Sequence, residues 1–134
     1  MLRFSLAHAH LSWRHLSSNA DHFFLPREFG SIILCATYVP PDANAKSAID
    51  QLSAILIEHE NRNRGSISIV LVDFNHANLT DCLLKFYQHV DCTTRYDRTI
   101  DHCYITIKGA YWSLKHALLG NSDHIMVHLI PAYR

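Results

Sequence analysis

The sequence predicts a layered α/β fold with a mixed sheet, because several observations agree. Segments with the composition of strands alternate with two segments of helical spacing, an order typical of α/β architectures. The 134 residues make one domain or a piece of a larger one, and a hydrophobic content of 49% allows a real core. The chain shows no repeat and no low-complexity tract. Disorder and a tandem multidomain organisation are therefore excluded.

The first strand and the first helix are the clearest elements. Residues 31–38 (SIILCATY) are rich in β-forming side chains and are followed by Pro40 and Pro41, which predicts a strand that ends there. From residue 46 to residue 59 the apolar side chains recur at intervals of three and four, which is helical spacing. These side chains are Ile49, Leu52, Ile55 and Leu56.

The remaining elements are predicted from the same two kinds of pattern. Residues 66–72 (SISIVLV) are nearly all aliphatic or β-branched, as in a strand buried on both faces. A second helix is predicted from the spacing of its apolar residues, with Asn78 or Thr80 as its N-cap. Those apolar residues are Leu79, Leu83, Phe86 and Val90. After a polar stretch, residues 103–107 and 125–130 are predicted strands, with a short strand around residues 111–114.

Residues 1–22 are predicted to be an N-terminal extension of uncertain structure. They contain Arg3 and Arg14 but no acidic residue before Asp21, a composition that resembles a transit peptide. We favour the extension over the targeting signal. Four cysteines without zinc-ligand spacing indicate reduced thiols in an intracellular protein, nuclear or cytoplasmic. The longest apolar run, residues 32–36, has the length of a strand and is too short for a membrane span.

The charge balance excludes binding of nucleic acid through a basic surface that covers the whole domain. Twelve basic residues match twelve acidic ones, so the formal net charge at pH 7 is zero and no basic field covers the whole domain. Any contact with nucleic acid is therefore expected to be local. Arg95, Arg98 and Lys108 are candidates for such contacts with phosphates, although a solvated loop also explains them.

Polar side chains stand at the ends of the predicted strands. Strand ends are where layered α/β folds present catalytic groups on loops. Taken singly, each has an ordinary explanation as a turn residue, a helix cap or a half-buried aromatic, and only the whole set is informative. The set consists of Tyr38 after the first strand, Asp73 and Asn75 after the second, Asp101 before the third, and Asp123 and His124 before the last.

Four segments that contain these residues resemble one family in order and spacing. They are TYVPP (37–41), VDFNHANL (72–79), RTIDHCY (98–104) and NSDHIMVHL (121–129). Together they resemble the endonuclease/exonuclease/phosphatase superfamily. The segments FLPREFGSIILCATYVPP, FYQHVDC and RTIDHCY are similar, more narrowly, to the apurinic-endonuclease-like domain that precedes the reverse transcriptase of non-LTR retrotransposons. The resemblance covers residues 23–133.

The resemblance implies a fold and an activity. The fold would be the C-terminal half of a four-layer α/β sandwich, with residues 23–134 as a partial domain made of a mixed sheet and flanking helices. The activity would be hydrolysis of a DNA phosphodiester that depends on Mg²⁺, with Mn²⁺ as a possible substitute.

The resemblance also implies a role for each site residue. Asp73 and Asn75 match a D-x-N pair that positions the attacking water and the scissile phosphate, and Tyr38 matches a tyrosine that contacts the phosphate. His124 matches a histidine that contacts the phosphate or acts as a base, and Asp101 matches the aspartate that orients it. Asp123 matches an aspartate that supports the metal region.

The sequence departs from the family at two places. Val72 stands where the family has a glycine before the D-x-N aspartate. The family's principal metal ligand, a Glu from its N-terminal half, and an accompanying Asn have no counterpart here, because only Asp21 and Glu28 are acidic before the first matched strand. Since Mg²⁺ needs one or two well-placed carboxylates, we expect weak metal binding and an inactive chain when it is alone.

Two alternatives stay open beside a truncated endonuclease. One is a catalytically dead remnant that acts only through self-association or through binding a partner. A sheet face left bare by the missing half of the sandwich would be the surface for this, because apolar patches of that size pair or aggregate. The other is a phosphatase or an exonuclease of the same superfamily, since these share the motifs.

Overall fold

The computed structural model describes residues 3–6, 9–17, 31–74 and 83–132 of the chain. The described part is α/β. Its main sheet has six strands in the order β1-β2-β3-β4-β6-β5, and a second sheet has two, β7 and β8. The strands are β1 Arg3–Leu6, β2 Ala9–Ser17, β3 Ser31–Val39, β4 Ile67–Phe74, β5 Tyr87–Gln88, β6 Asp101–Ile105, β7 Tyr111–Leu118 and β8 Ile125–Pro131, and the helix α1 is Ala45–Arg62.

The main sheet is mixed, as predicted. Strands β3 and β4 are parallel, and α1 is the crossover between them, while every other neighbouring pair is antiparallel. A parallel pair needs a long connection, which the helix supplies. The predicted strand at residues 66–72 extends to Phe74, so Asp73 lies within β4 and not beyond it.

Helix α1 confirms the predicted helix at residues 46–59 and lengthens it at both ends. The side chain of Asn44 accepts a hydrogen bond from the backbone N–H of Ser47, which satisfies one of the free donors of the first turn. Ala48, Ile49, Leu52 and Leu56 are buried along one stripe of the helix. They pack on one face of the main sheet against a cluster that includes Cys35, Val70 and Tyr104.

Strands β7 and β8 are packed on the opposite face of the main sheet. Tyr111, Val127 and Leu129 contact a second buried cluster that contains Ile67, Ile69, Cys103 and Ile105. The described part of the chain is therefore layered as helix, main sheet and two-stranded sheet. This arrangement agrees with the predicted fold class, a truncated α/β sandwich. The strand expected around residues 111–114 is longer than predicted, because β7 continues to Leu118.

The second predicted helix is wrong from Leu83 onward. Residues 83–90 form a turn, in which the N–H of Phe86 donates to the carbonyl of Leu83, and then the short strand β5. Leu83 and Phe86 belong to the cluster under α1, whereas Val90 belongs to the cluster under the two-stranded sheet. A helix would bury these three side chains on one side. The turn and the strand instead bury them in two clusters on opposite faces of the main sheet, at the same spacing in sequence. Residues 75–82, with the expected cap, lie outside the described residues.

The backbone of β1 and β2 adds two antiparallel strands beside β3. The sequence patterns did not predict these strands, which fall in the segment expected to be an extension. The expected boundary near residue 22 lies outside the described ranges. Within those ranges, no helix is both long and apolar enough to cross a membrane.

Candidate functional site

The register of the main sheet gathers three of the predicted site residues at one edge. In the parallel pair, Tyr38 of β3 lies beside Asp73 of β4. In the antiparallel pair, Asp73 lies directly opposite Asp101, the first residue of β6. Directly opposed residues have their Cβ atoms about 5 Å apart, so the two carboxylates face one another across the strands. The three side chains come from segments far apart in sequence.

The fourth residue of this group, His124, stands immediately before β8. Its ring Nδ1 lies 2.9 Å from Oδ2 of Asp101. Because an ionised carboxylate only accepts hydrogen bonds, Nδ1 carries the proton and donates it to Asp101. The second ring nitrogen, Nε2, is then an acceptor in the neutral imidazole. Asp101 therefore fixes both the tautomer and the orientation of the His124 ring.

Asp73 is a carboxyl group whose ionised form is disfavoured by its surroundings. Burial raises the pKa of its carboxyl group, the neighbouring Asp101 raises it further, and His124 and Arg95 act in the opposite direction. Its Oδ1 is buried without a hydrogen-bond partner among the described residues. A buried carboxylate oxygen without a donor is costly, and a proton or a bound cation relieves the cost.

The three side chains Asp73, Asp101 and His124 form a possible metal site. One ligand atom of each lies within 4.8 Å of the others. The unpartnered Oδ1 of Asp73 fits a cation, and two carboxylates are the number that Mg²⁺ commonly takes from a protein. An imidazole ligand is better suited to Mn²⁺ or Zn²⁺ than to Mg²⁺. The donor set therefore fits a divalent cation that is held mainly by oxygen.

Asp123 is placed at the side of this group and is already paired. Its Oδ2 lies 2.5 Å from Nη2 of Arg95, and its Oδ1 lies 3.9 Å from Nε2 of His124. The guanidinium of Arg95 in turn lies over the ring of Tyr96, 5.5 Å from its centroid. An aspartate that is neutralised by an arginine is a weaker candidate ligand than Asp73, whose Oδ1 has no donor among the described residues.

A cleft of about 490 Å³ opens beside the carboxylates. Tyr38, Asp73 and Asp101 line its polar end, and the side chains of Ile125, Val127 and Leu129 form an apolar wall on β8. Tyr38 is 41% exposed and lines the cleft, so its side chain can contact a molecule that enters it. The site is thus open to solvent at the edge where the charges converge.

Asn75 is the one predicted site residue that the structure does not place, since it lies outside the described residues. Other reactive groups nearby are occupied. His102, next to Asp101, has Nε2 at 2.9 Å from the carbonyl of Thr99 and Nδ1 at 2.9 Å from the hydroxyl of Tyr104. Burial raises the pKa of the Cys35 and Cys103 thiols to about 12, which excludes both as thiolate nucleophiles.

Of two residues that hold this site together, sequence reasoning missed Thr94 and gave Arg95 a different role. Thr94 is fully buried and contacts the start of β6 and of β8 through hydrogen bonds. Arg95 was a candidate for contacts with phosphate, but the structure pairs it with Asp123. Neither has a local signal in the sequence, because both lie in a polar stretch that reads as a loop.

Comparison with known proteins identifies a structural neighbour and no sequence relative. No family model matches the chain, and no curated protein matches it significantly. Among solved structures, the chain is similar to the human Nocturnin catalytic domain with a bound sulfate anion, with a TM-score of 0.49 and 15% identity. The match covers 95% of this chain and 62% of that chain, so this chain spans less than two thirds of the neighbour's length.

Proposed function

We propose that the chain is part of a metal-dependent phosphodiesterase of the endonuclease/exonuclease/phosphatase type that cleaves DNA. The observation that carries the proposal is the convergence of Asp73, Asp101 and His124 at one edge of the sheet. These residues come from three of the four segments that resemble the family, and they meet with an imidazole already bonded to a carboxylate. A carboxylate–imidazole pair beside a second carboxylate is an arrangement suited to hydrolysis.

His124 is the proposed base or phosphate contact. With its proton on Nδ1 and donated to Asp101, the neutral ring presents the lone pair of Nε2. That nitrogen can accept a proton from an attacking water, and the carboxylate of Asp101 then stabilises the imidazolium that forms. After protonation, the same nitrogen can donate a hydrogen bond to a phosphate oxygen. Asp101 orients the ring throughout.

Asp73 and Tyr38 are the proposed positioning groups for the water and the phosphate. The Oδ1 of Asp73 has no donor among the described residues, so it can accept a hydrogen bond from a water molecule. Tyr38 lines the cleft and is partly exposed, and its hydroxyl can donate to a phosphate oxygen there. A divalent cation held by Asp73 and Asp101 would neutralise negative charge on the phosphoryl oxygens. Because the sequence has no counterpart of the family's principal Glu ligand, binding of Mg²⁺ or Mn²⁺ is expected to be weak.

The resemblance of the sequence segments to the endonuclease-like domain of non-LTR retrotransposons supports two further parts of the proposal. These are that the substrate is DNA and that the chain originates from such a retrotransposon. The zero net charge argues that binding would rely on local contacts near the site. Phosphate monoesters and the ends of nucleic acids are the competing substrates, since an exonuclease or a phosphatase would use the same groups.

Nicking of supercoiled plasmid by the purified chain, with Mg²⁺ or Mn²⁺ and with EDTA, tests the proposal. The missing Glu leads to an expectation of inactivity from the sequence, whereas the assembled group of Asp73, Asp101 and His124 predicts slow, EDTA-sensitive nicking. Asp73→Ala should abolish this nicking, and His128→Ala should leave it unchanged. His128 is the matched control, because it lies on β8 and contacts the ring of His116 instead of the site. Parallel assays with a linear duplex and with a phosphate monoester separate the exonuclease and phosphatase alternatives. A folded chain that cleaves none of these contradicts the proposal.

A second candidate function, binding of another copy or of a partner without catalysis, is favoured by the outer face of the two-stranded sheet. Its side chains that point away from the main sheet include Trp112, Leu114, Met126 and Ile130, all exposed. Apolar groups grouped on one face in this way are typical of an association surface. Light scattering distinguishes this function, since Trp112→Gln should restore a monomer if the face mediates self-association.

A further inference from the structure

Thr94 is the most completely buried polar residue near the site. Its exposed fraction is 0%, although it lies in the polar segment before β6 and not in a strand or helix. A buried hydroxyl is tolerated only when hydrogen bonds satisfy it. The partners that satisfy Thr94 lie at the start of β6, at the start of β8 directly after His124, and in the turn before β6.

The hydroxyl of Thr94 holds the start of β6. Its Oγ1 accepts hydrogen bonds from the backbone N–H groups of Ile100 and Asp101, each at 3.0 Å. These two donors flank the point at which the chain turns into the strand, and Asp101 is the carboxylate that orients His124. The hydroxyl therefore fixes the backbone from which that carboxylate projects.

The backbone of Thr94 holds the start of β8. Its carbonyl accepts a hydrogen bond from the N–H of Ile125 at 2.7 Å, directly after His124. Its own N–H donates to the carbonyl of Arg98 at 2.9 Å and closes the intervening turn. One residue thus connects the backbone next to the base with the backbone next to its orienting carboxylate.

The turn that follows Thr94 secures the same region from the other side. Arg95 and Arg98 form an isolated antiparallel bridge, and Tyr96 between them has φ of +50°, a conformation that bulky residues rarely adopt. This turn directs the guanidinium of Arg95 to Asp123, the neighbour of His124. Arg95 and Thr94 therefore hold Asp123 and Ile125, the residues on either side of His124, and Thr94 also holds the first residue of β6.

We propose that Thr94 is a positioning residue that keeps the Asp101 carboxylate within hydrogen-bond reach of His124. The catalytic consequence of this role rests on the proposed function. The structural consequence, the bond between Nδ1 of His124 and Asp101, does not depend on it.

Three variants separate positioning from general stability. Thr94→Val keeps the shape but removes the acceptor of two N–H groups, whereas Thr94→Ser keeps the acceptor. Thr99→Val is the matched control, because its hydroxyl donates to the carbonyl of Cys92 in the same loop and contacts neither strand start. Circular dichroism establishes that each variant is folded.

The first readout is the ring of His124, observed by long-range ¹⁵N–¹H correlation NMR. We expect the wild type, Thr94→Ser and Thr99→Val to show one tautomer with the proton on Nδ1, and Thr94→Val to show a mixture. The second readout is plasmid nicking, in which Thr94→Val should lose about 100-fold and Thr94→Ser little, as expected for displacement of a catalytic group.

The outcomes distinguish this proposal from the proposed function. If the wild type does not nick DNA but Thr94→Val still loses the single tautomer, the positioning role stands and the nuclease activity fails. If Thr94→Val keeps the tautomer, or nicks DNA as fast as a wild type that is active, the positioning role is overturned. Should Thr94→Val not fold, Thr94→Cys, with a weak acceptor of similar size, is judged by the same two readouts.

Discussion

Two histidines connect the main sheet to the two-stranded sheet, at opposite ends of β6. His124 lies near Asp101, where β6 begins. The backbone of His89 lies beside Cys103 of β6, and its ring reaches past the other end of the strand, with Nε2 at 3.1 Å from the carbonyl of Ile107 and Nδ1 at 3.2 Å from the carbonyl of Tyr111. Both rings bridge the same two layers, yet their surroundings differ in one decisive respect.

The difference is the availability of the second ring nitrogen. In His89 both nitrogens are directed at backbone carbonyls, and the residue is 7% exposed, so the ring is a structural connector. In His124 one nitrogen is bonded to a carboxylate, and the other has Asp123 as its neighbouring acid at 3.9 Å. The same residue type therefore stabilises the fold at one end and is free for chemistry at the other.

The largest expected effect concerns His124. His124→Ala should reduce nicking by about 100- to 10,000-fold, because it removes a general acid–base group. The midpoint of thermal unfolding should change little, since the ring is only partly buried. Rates of nicking and thermal melting measured on the same preparation test this. Equal losses of rate in His124→Ala and His128→Ala would contradict the comparison.

The next effect concerns His89. His89→Leu should lower the free energy of unfolding by about 2 kcal/mol, because the buried carbonyl that accepts the ring N–H, that of Ile107 or of Tyr111, loses its donor. The rate of nicking per folded molecule should stay at the wild-type value. Denaturant titration gives the free energy. A His89→Leu chain of wild-type stability would show that the ring is not a connector.

The ionised carboxylate of Asp73, near His124, should destabilise the folded protein. Its folded-state pKa is raised above the value of 3.8 that an unperturbed aspartate has, by burial and by Asp101. Protonation therefore favours the folded state, and this contribution is complete below the unfolded pKa and is lost as the pH rises through the folded pKa. At neutral pH the ionised carboxylate thus destabilises the fold.

Asp73→Asn should therefore raise the melting temperature at neutral pH while it abolishes nicking. The gain should shrink on acidification, because the wild-type carboxyl group then becomes neutral as well. Melting of both proteins across a series of acidic and neutral buffers checks this. A gain that is independent of pH would show that the charge of Asp73 is not its cause.

The smallest expected effect on stability concerns an exposed ion pair on α1, and it serves as the reference for a substitution without a structural role. Lys46 and Asp50 form an exposed ion pair on α1, with side chains 86% and 59% exposed. Lys46→Ala should change the free energy of unfolding by less than about 0.5 kcal/mol, as is usual for exposed pairs. Denaturant titration with His89→Leu as the reference measures it. A loss of stability as large as that of His89→Leu would show that the effect of His89→Leu does not reflect a buried connecting role.

Much of the fold could be predicted from sequence. The predictable elements are those whose residue pattern is compatible with only one kind of secondary structure. The stripe of Ile49, Leu52 and Leu56 has the period of a helix, and residues 66–72 have the composition of a buried strand. The spacing of Leu83, Phe86 and Val90 has two meanings, and the turn at Leu83 was the correct one. Periodicity alone does not reveal on which face of a sheet a side chain is buried.

The site could be predicted only in part, because its contacts depend on strand register. Asp73, Asp101, His124 and Tyr38 were predicted from their motifs, and the parallel and antiparallel pairing of β4 explains why they meet. The pairing of Asp123 with Arg95 and the burial of Thr94 arise from a turn whose residues have no distinctive pattern. Tertiary hydrogen bonds of that kind are decided by the fold as a whole.

Binding of Mn²⁺ tests the central claim most directly, which is a metal site held by the carboxylates of Asp73 and Asp101 beside the ring of His124. Traces of Mn²⁺ should broaden the ring signals of His124 strongly and those of His128 weakly, since four residues of strand separate the two by roughly 13 Å. Asp73→Asn should remove the selective broadening. Equal broadening of both rings, or broadening that persists in Asp73→Asn, would contradict the account.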